Sequence, residues 1–389
     1  MRTILITGPG GSGRTTLAAA TALASAAEGT RTLVLGTDRT DTLGAALGVP
    51  TGPAPVQAAP GLTAWRPDAA QDFRKDLTAL QDRASTALDL LGASRLDPDE
   101  LTPLPGAEEL ALLRALRDAA LSEKYDTLVV DLPPAPQALA LLSLPEELRR
   151  YLRRLLPAER QAARALRPVL GRLAGVPMPA EWLYETAGRW DLELAAVEAV
   201  VADRDTVVRL VAEPGPAGAE ALRTAGLGLA LRGLRTDVVI ANRVLPEASP
   251  DTWLAGPVAQ QRKTLEEWRE SHDVRTVAHL GHDPRGTDDL TALAVPGVQP
   301  APPAADWPVT DRLDADGVLV WQIPLPGAIR EELDLVRRGD ELVVTAGRFR
   351  RIVPLPSALR RCTVDGAALR EGELRIRFMP DPGLWPQSR

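Results

Sequence analysis

Gly8–Thr16 reads GPGGSGRTT, set between a short apolar run at Thr3–Thr7 and a stretch of helical character from about Thr15 to Ala27. Strand, glycine-rich turn and helix in that order form an anion cradle. Successive backbone N–H groups curl round phosphate oxygens, and the helix aims its positive dipole end at them. The spacing fits G-x-x-x-x-G-K-[ST] except that Arg14 replaces the lysine. On this reading Gly8, Gly10, Gly11, Ser12 and Gly13 shape the cradle and Arg14, Thr15 and Thr16 close it, with the Thr15 hydroxyl available to Mg²⁺. A chance Gly-rich turn is the plain alternative, and its placement between strand and helix argues against it.

Outward from the loop, short apolar runs alternate with helical patterns, which predicts βαβ units and a parallel sheet. The expected strands are Thr3–Thr7, Thr32–Leu35, Thr127–Asp131, Thr206–Ala212, Thr236–Ala241 and Val274–Leu280. Between Ala138 and Asp203 no strand is evident. Leu148, Leu152, Leu155 and Leu156, then Leu166, Val169, Leu170 and Leu173, recur at helical spacing, so a helical insertion over about 138–203 is expected, with Pro157 and Pro168 at helix starts or kinks. Val295–Pro308, VPGVQPAPPAADWP, is too proline-rich for helix or central strand and reads as an extended linker, bounded at 297–309. Beyond it VLVWQIPLPG, ELVVTAG, RRIVPLP and ELRIRF alternate as short strands do, giving a small all-β domain over 310–380 and a tail at 381–389. The fold class expected is α/β: a P-loop parallel sheet flanked by helices over 1–296, with the helical insertion and a C-terminal β sandwich.

Composition narrows the function. The 389 residues, 45% hydrophobic and 25% charged, hold material for more than one packed domain. A formal net charge of −7 disfavours nucleic acid as a partner. No run approaches the roughly 18 apolar residues of a membrane span, and MRTILITGPGG falls short of a secretory leader. Cys362 is the single cysteine, which excludes an internal disulfide or a multi-cysteine metal site. A cytoplasmic location is expected. His272, His279 and His282 lack the spacing and defined carboxylate of a metal site and are expected at the surface. Arg149, Arg150, Arg153 and Arg154 are expected to form a solvated helix face paired with Glu146 and Glu147. The eight tryptophans read as packing residues.

The loop resembles the deviant P-loop G-K-G-G-x-G-K-T of the ArsA family, the arsenite-pump and tail-anchored-protein-targeting ATPases. LGTDRTDTLG resembles that family's switch I, VVDLPPAPQALALLSLPEELRRYLRRLLP its switch II and following helix, and VVIANRVLP its adenine-contact strand end. The resemblance spans about Met1–Pro296. It implies ATP and Mg²⁺ as cofactors, Asp38 positioning the attacking water, Thr15 and Asp131 on the metal side, and Asn242 and Arg243 recognising the base. It also implies a homo- or hetero-dimer with an ArsA-type homologue and a protein client on the helical insertion. IPLPG, GDELVVTAG and the closing LRIRF resemble the α-crystallin-like, small-heat-shock-like domain that some bacterial homologues append.

Three positions depart from the family pattern. Pro9 stands at the lysine that reaches the partner's phosphates, Arg14 at the cradle lysine, and Ala135–Pro136 at the Thr-Gly of switch II. Each removes or enlarges a donor where charge develops in phosphoryl transfer. The expected function is therefore an ATP-binding, ATPase-like protein with a nucleotide-switched client. The alternatives are a catalytically impaired partner to a competent homologue and a small-heat-shock-like holdase with a regulatory P-loop domain.

Overall fold

The computed structural model describes residues 1–36, 38, 40–83, 85, 88, 89, 92, 94–156, 181–248, 251–303 and 306–385, with 181–184 described by backbone only. Pro157, Pro168 and the leucine repeat at 166–173 lie outside the described residues. The chain divides into two compact units, one formed by 1–7, 13–206 and 280–299, the other by 8–12, 207–279 and 300–389.

In the first unit the strands are β1 (Arg2–Thr7), β2 (Thr32–Leu35), β3 (Val56–Ala59), β4 (Leu62–Trp65) and β5 (Thr127–Asp131), running in the order β3-β4-β2-β5-β1. β1 pairs with β5, and β2 with β5 and β4, all parallel, while β3 adds an antiparallel edge through a short hairpin onto β4. β2 and β5 are buried along their whole length and β1 from its second residue. Burial on both faces is why these segments read as continuous apolar runs instead of alternating ones. Helices α1 (Arg14–Ala27), α2 (Thr42–Leu47), α3 (Ala69–Arg83) and α4 (Ala107–Leu121) connect them. α1 buries Leu17 together with Ala18, Ala19, Ala20 and Ala22, and the four alanines let the helix lie close to its neighbours.

The described part of the region expected as a helical insertion is helical: α5 (Ala135–Leu155) and α6 (Glu181–Ala202). Pro145 sits inside α5. Arg149 does not form the solvated pair with Glu146 and Glu147 that its helix spacing suggests. It donates instead across to α6, reaching Asp191 at 3.1 Å and Glu198 at 2.5 Å, with Arg153 also 3.5 Å from Asp191. Packing of two helices set this choice of partners, and local spacing carries no record of it.

The second unit holds a parallel set, β6 (Thr206–Ala212), β7 (Thr236–Val244) and β8 (Val274–Ala278), with α7 (Pro216–Arg232) and α8 (Ala255–Arg269) between them. β6 is buried throughout, Arg209 included. Its guanidinium donates to Asp237 at 2.7 Å, and neither side chain has exposed surface. The same unit carries two antiparallel sheets. One has the order β14-β15-β10-β9 and the other β11-β12-β13, from β9 (Val309–Arg312), β10 (Val318–Pro324), β11 (Leu333–Arg338), β12 (Glu341–Ala346), β13 (Phe349–Pro354), β14 (Cys362–Arg370) and β15 (Glu373–Pro380). The fold class is α/β with these all-β sheets at the C-terminal end of the chain. The described residues of 295–308 form no helix or strand, yet this stretch is held in place: Val295 is buried, and Arg235 donates to the Pro302 carbonyl at 3.1 Å.

Candidate functional site

The first half of the loop belongs to the second unit. A Cβ on Gly8 would lie 1.9 Å from the Val211 carbonyl oxygen at the end of β6, so no side chain fits there. Ser12 then closes a turn on Pro9, its N–H donating to the Pro9 carbonyl at 3.4 Å and its hydroxyl at 2.9 Å. Gly11, third in that turn, has φ 78°, the left-handed value a type II turn requires. Two residues of β7 hold the loop by its carbonyls. Asn242, buried, donates its side-chain amide to Ser12 O at 2.7 Å. Arg243 donates to Gly11 O at 3.0 Å and to the Glu213 carboxylate at 2.6 Å. A register shift between Ala241 and Val244 in the β7–β8 ladder, with Arg243 at φ 54°, turns this strand end.

The second half belongs to the first unit. Gly13, at φ 88°, opens α1 with no side-chain cap and no acidic residue in the first turn, which leaves the helix N–H groups for an anion. The Thr15 hydroxyl donates to Asp131 Oδ2 at 2.6 Å at the C-terminal end of β5. Burial pushes the Asp131 carboxyl up to about 7, with the nearby Asp38 carboxylate adding to it. The Thr15 hydrogen bond and the Arg14 charge pull the other way without winning. Arg14 donates to the Leu132 carbonyl, so its guanidinium is engaged with the backbone just after Asp131. Thr7 Oγ1 donates to Pro133 O at 2.7 Å. Pro136 falls in the first turn of α5, where a backbone N–H has no intrahelical partner to lose.

Asp38 is exposed and accepts a hydrogen bond from Thr42 Oγ1 at 2.8 Å. Asp41, three residues on, is the N-cap of α2. Burial raises its carboxyl, but hydrogen bonds from the Thr51 hydroxyl and amide and the Gly44 amide, together with Arg66, hold it below its ordinary value. The two acids of the LGTDRTDTLG segment thus differ: Asp41 is committed to structure and Asp38 is presented to solvent. Thr16 lies half-buried in the first turn of α1. Among the residues named from sequence, Thr15 and Asp131 meet directly, as do Ser12 with Asn242 and Gly11 with Arg243. Glu213 was not legible, because its partner is 30 residues away and nothing in EPGPAG marks a pair. Among the described residues no group of three His, Cys, Asp or Glu side chains is gathered to hold a metal, and His282 faces Asp289 alone at 3.3 Å. Among the described residues no helix is long and apolar enough to cross a membrane.

Comparison with known proteins places this geometry in a family. Residues 1–295 match the model of the anion-transporting ATPase, ArsA type, and residues 316–378 match the HSP20-like domain found in ArsA. The chain is 79% identical over 390 residues to the protein SCO2128 of Streptomyces coelicolor, covering all of both chains. It is 32% identical to the protein Rv2184c of Mycobacterium tuberculosis, over 99% of this chain and 97% of that one. It is 27% identical to the putative arsenical pump-driving ATPase 1 of Aquifex aeolicus, over 97% and 99%. The chain belongs to the ArsA family of anion-transporting ATPases and carries that family's HSP20-like domain.

Proposed function

We propose that this protein binds ATP with Mg²⁺ on Gly8–Thr16 and uses the nucleotide state to govern a protein client, as its family implies. One observation carries the reading. The Thr15 hydroxyl and the Asp131 carboxyl meet at 2.6 Å at the mouth of an uncapped helix, and the loop leading into that helix has a glycine where only a hydrogen fits. A hydroxyl and a carboxyl at the start of a helix are the oxygen ligands Mg²⁺ takes, and the free N–H groups of α1 suit a phosphate. The residues fit the group. When bound, Mg²⁺ supplies positive charge to the triphosphate oxygens.

The chain's own residues have definite parts in this reading. Asp131 would hold the cation as a carboxylate, its proton lost to solvent, Asn242 and Arg243 hold the loop, and Asp38, steadied by Thr42, would orient a water. The client reading is supported by Tyr151, Leu155, Trp190 and Leu192, large apolar side chains left exposed on the helices that follow Asp131.

A second reading, a pseudo-ATPase acting beside a competent homologue, is favoured by Arg14. Its guanidinium is bound to Leu132 O, and Pro9 brings no charge. The two readings separate in a turnover assay on the purified chain. Saturable ATP binding with steady phosphate release supports the switch. Binding without release, restored on adding a homologue that keeps both lysines, supports the partner role. Absence of ATP binding contradicts both.

A further inference from the structure

The resemblance gives Asn242 and Arg243 to the nucleotide base, but their hydrogen bonds go to the loop. They donate to consecutive carbonyls, Asn242 to Ser12 O at 2.7 Å and Arg243 to Gly11 O at 3.0 Å. In a planar trans peptide the carbonyl of one residue and the N–H of the next point in opposite directions. Pulling the Gly11 carbonyl toward Arg243 therefore turns the Ser12 N–H the other way, where it closes the turn on the Pro9 carbonyl at 3.4 Å. Pulling the Ser12 carbonyl toward Asn242 turns the Gly13 N–H away from Asn242, toward the start of the helix. A phosphate cradle needs its N–H groups inward and its carbonyls out, because an inward carbonyl repels the anion.

Arg243 is held for this task at some cost. Its backbone sits at φ 54°, a region that side chains other than Gly, Asn and Asp rarely enter, and such strain persists where surroundings fix it. What fixes it is Glu213, one residue past the end of β6, whose carboxylate takes the same Nη1 at 2.6 Å. The neighbouring Val211 carbonyl is the group that excludes a side chain at Gly8. The end of β6 thus sets both the entry of the loop and, through Arg243, its apex at Gly11.

We infer that Asn242 and Arg243 are positioning residues that fix the peptide planes of the loop, Asn242 by turning the Gly13 N–H toward a bound anion and Arg243 by holding the Pro9–Ser12 turn, with Glu213 as the anchor that holds Arg243 to the Gly11 carbonyl. This rests on the reading of the loop as a nucleotide site. It makes the cradle depend on a charge pair outside the glycine-rich motif, and it makes their contribution independent of the base.

The test is calorimetric titration of the full chain with ATP, GTP and inorganic pyrophosphate, each with Mg²⁺, in the unaltered protein and in Arg243→Gly, Arg243→Lys and Glu213→Gln. Glycine suits φ 54°, so Arg243→Gly removes the side chain while relieving the backbone. Loss of a charge-assisted hydrogen bond of this kind is expected to weaken all three ligands by the same factor, roughly tenfold. Arg243→Lys should recover most of that loss, and Glu213→Gln should lie between. Amide hydrogen exchange over residues 10–13 of the nucleotide-free chain should quicken in Arg243→Gly and return toward normal in Arg243→Lys. Weaker ATP with unchanged pyrophosphate would assign Arg243 to the base and overturn the inference while leaving the nucleotide site standing. Unchanged affinities for all three would also overturn it. If the unaltered chain bound none of the three, the nucleotide reading and this inference would fall together.

Discussion

Gly8 has room for a hydrogen and nothing larger, because the Val211 carbonyl occupies the place of a Cβ. Gly8→Ala must move the loop or the strand end. Overpacking of this kind costs about 1–3 kcal/mol, to be read as a lowered urea midpoint at unchanged slope. Asp131 makes a second residue-level prediction, in pH. Its carboxyl is raised to about 7 by burial, so the folded chain holds a proton that the unfolded chain releases near the ordinary value of 3.8. The stabilising contribution is full below the unfolded value and is lost as pH rises through about 7. Denaturant midpoints of the nucleotide-free chain should therefore fall over that window, and Asp131→Asn should flatten the fall. An unchanged slope in the variant would contradict it. Gly8–Thr16 was legible because backbone demands are written directly as residue types. The partners of Arg14 and Arg243 were not, since a long side chain reaches groups that no sequence spacing records.

At the scale of elements, six parallel strands could be read from sequence; for β1, β2, β5, β6 and the middle of β7 burial on both faces leaves a continuous apolar signal, whereas β8 is mostly exposed. The β3–β4 hairpin was missed: two four-residue strands bordering Pro60–Gly61 carry too little pattern to separate from loop. β6 was read correctly despite an arginine in its middle, but what makes that arginine tolerable lies in the next strand. Arg209 and Asp237 are buried together at 2.7 Å, and a register shift between Val208 and Leu210 marks the same place in the ladder. Asp237→Ala removes the carboxylate that the buried guanidinium donates to and should destabilise the chain by about 3–5 kcal/mol in equilibrium unfolding. The double change Arg209→Met with Asp237→Leu should cost much less. Equal losses in the single and double variants would show that the pair is not what holds these strands.

For the whole molecule, the C-terminal strands share their compact unit with α7. Arg223 donates to Gly327 O at 2.9 Å, and Arg351 donates to Leu231 O at 3.1 Å while lying 5.6 Å over the Trp307 ring, which meets Trp321 edge-on. Composition announced a change to β structure after residue 309 but not its attachment to a particular helix, because that contact is made by arginines that read as surface charge. Trp268 and Trp321 are buried as packing residues, whereas Trp253 is 75% exposed, against the expectation from sequence. Arg351→Ala removes the hydrogen bond to Leu231 O and the cation–π contact with Trp307, together about 1–2 kcal/mol, and should speed proteolytic cleavage near residues 300–309. Unchanged cleavage would mean that the strands are held by apolar packing alone. The most direct measurement is calorimetric titration of the full chain and of Gly8→Ala with ATP and Mg²⁺. Saturable binding at one site per chain, lost in the variant, is the predicted result. No heat in the unaltered chain at several temperatures, or equal binding in Gly8→Ala, would contradict a nucleotide site at Gly8–Thr16.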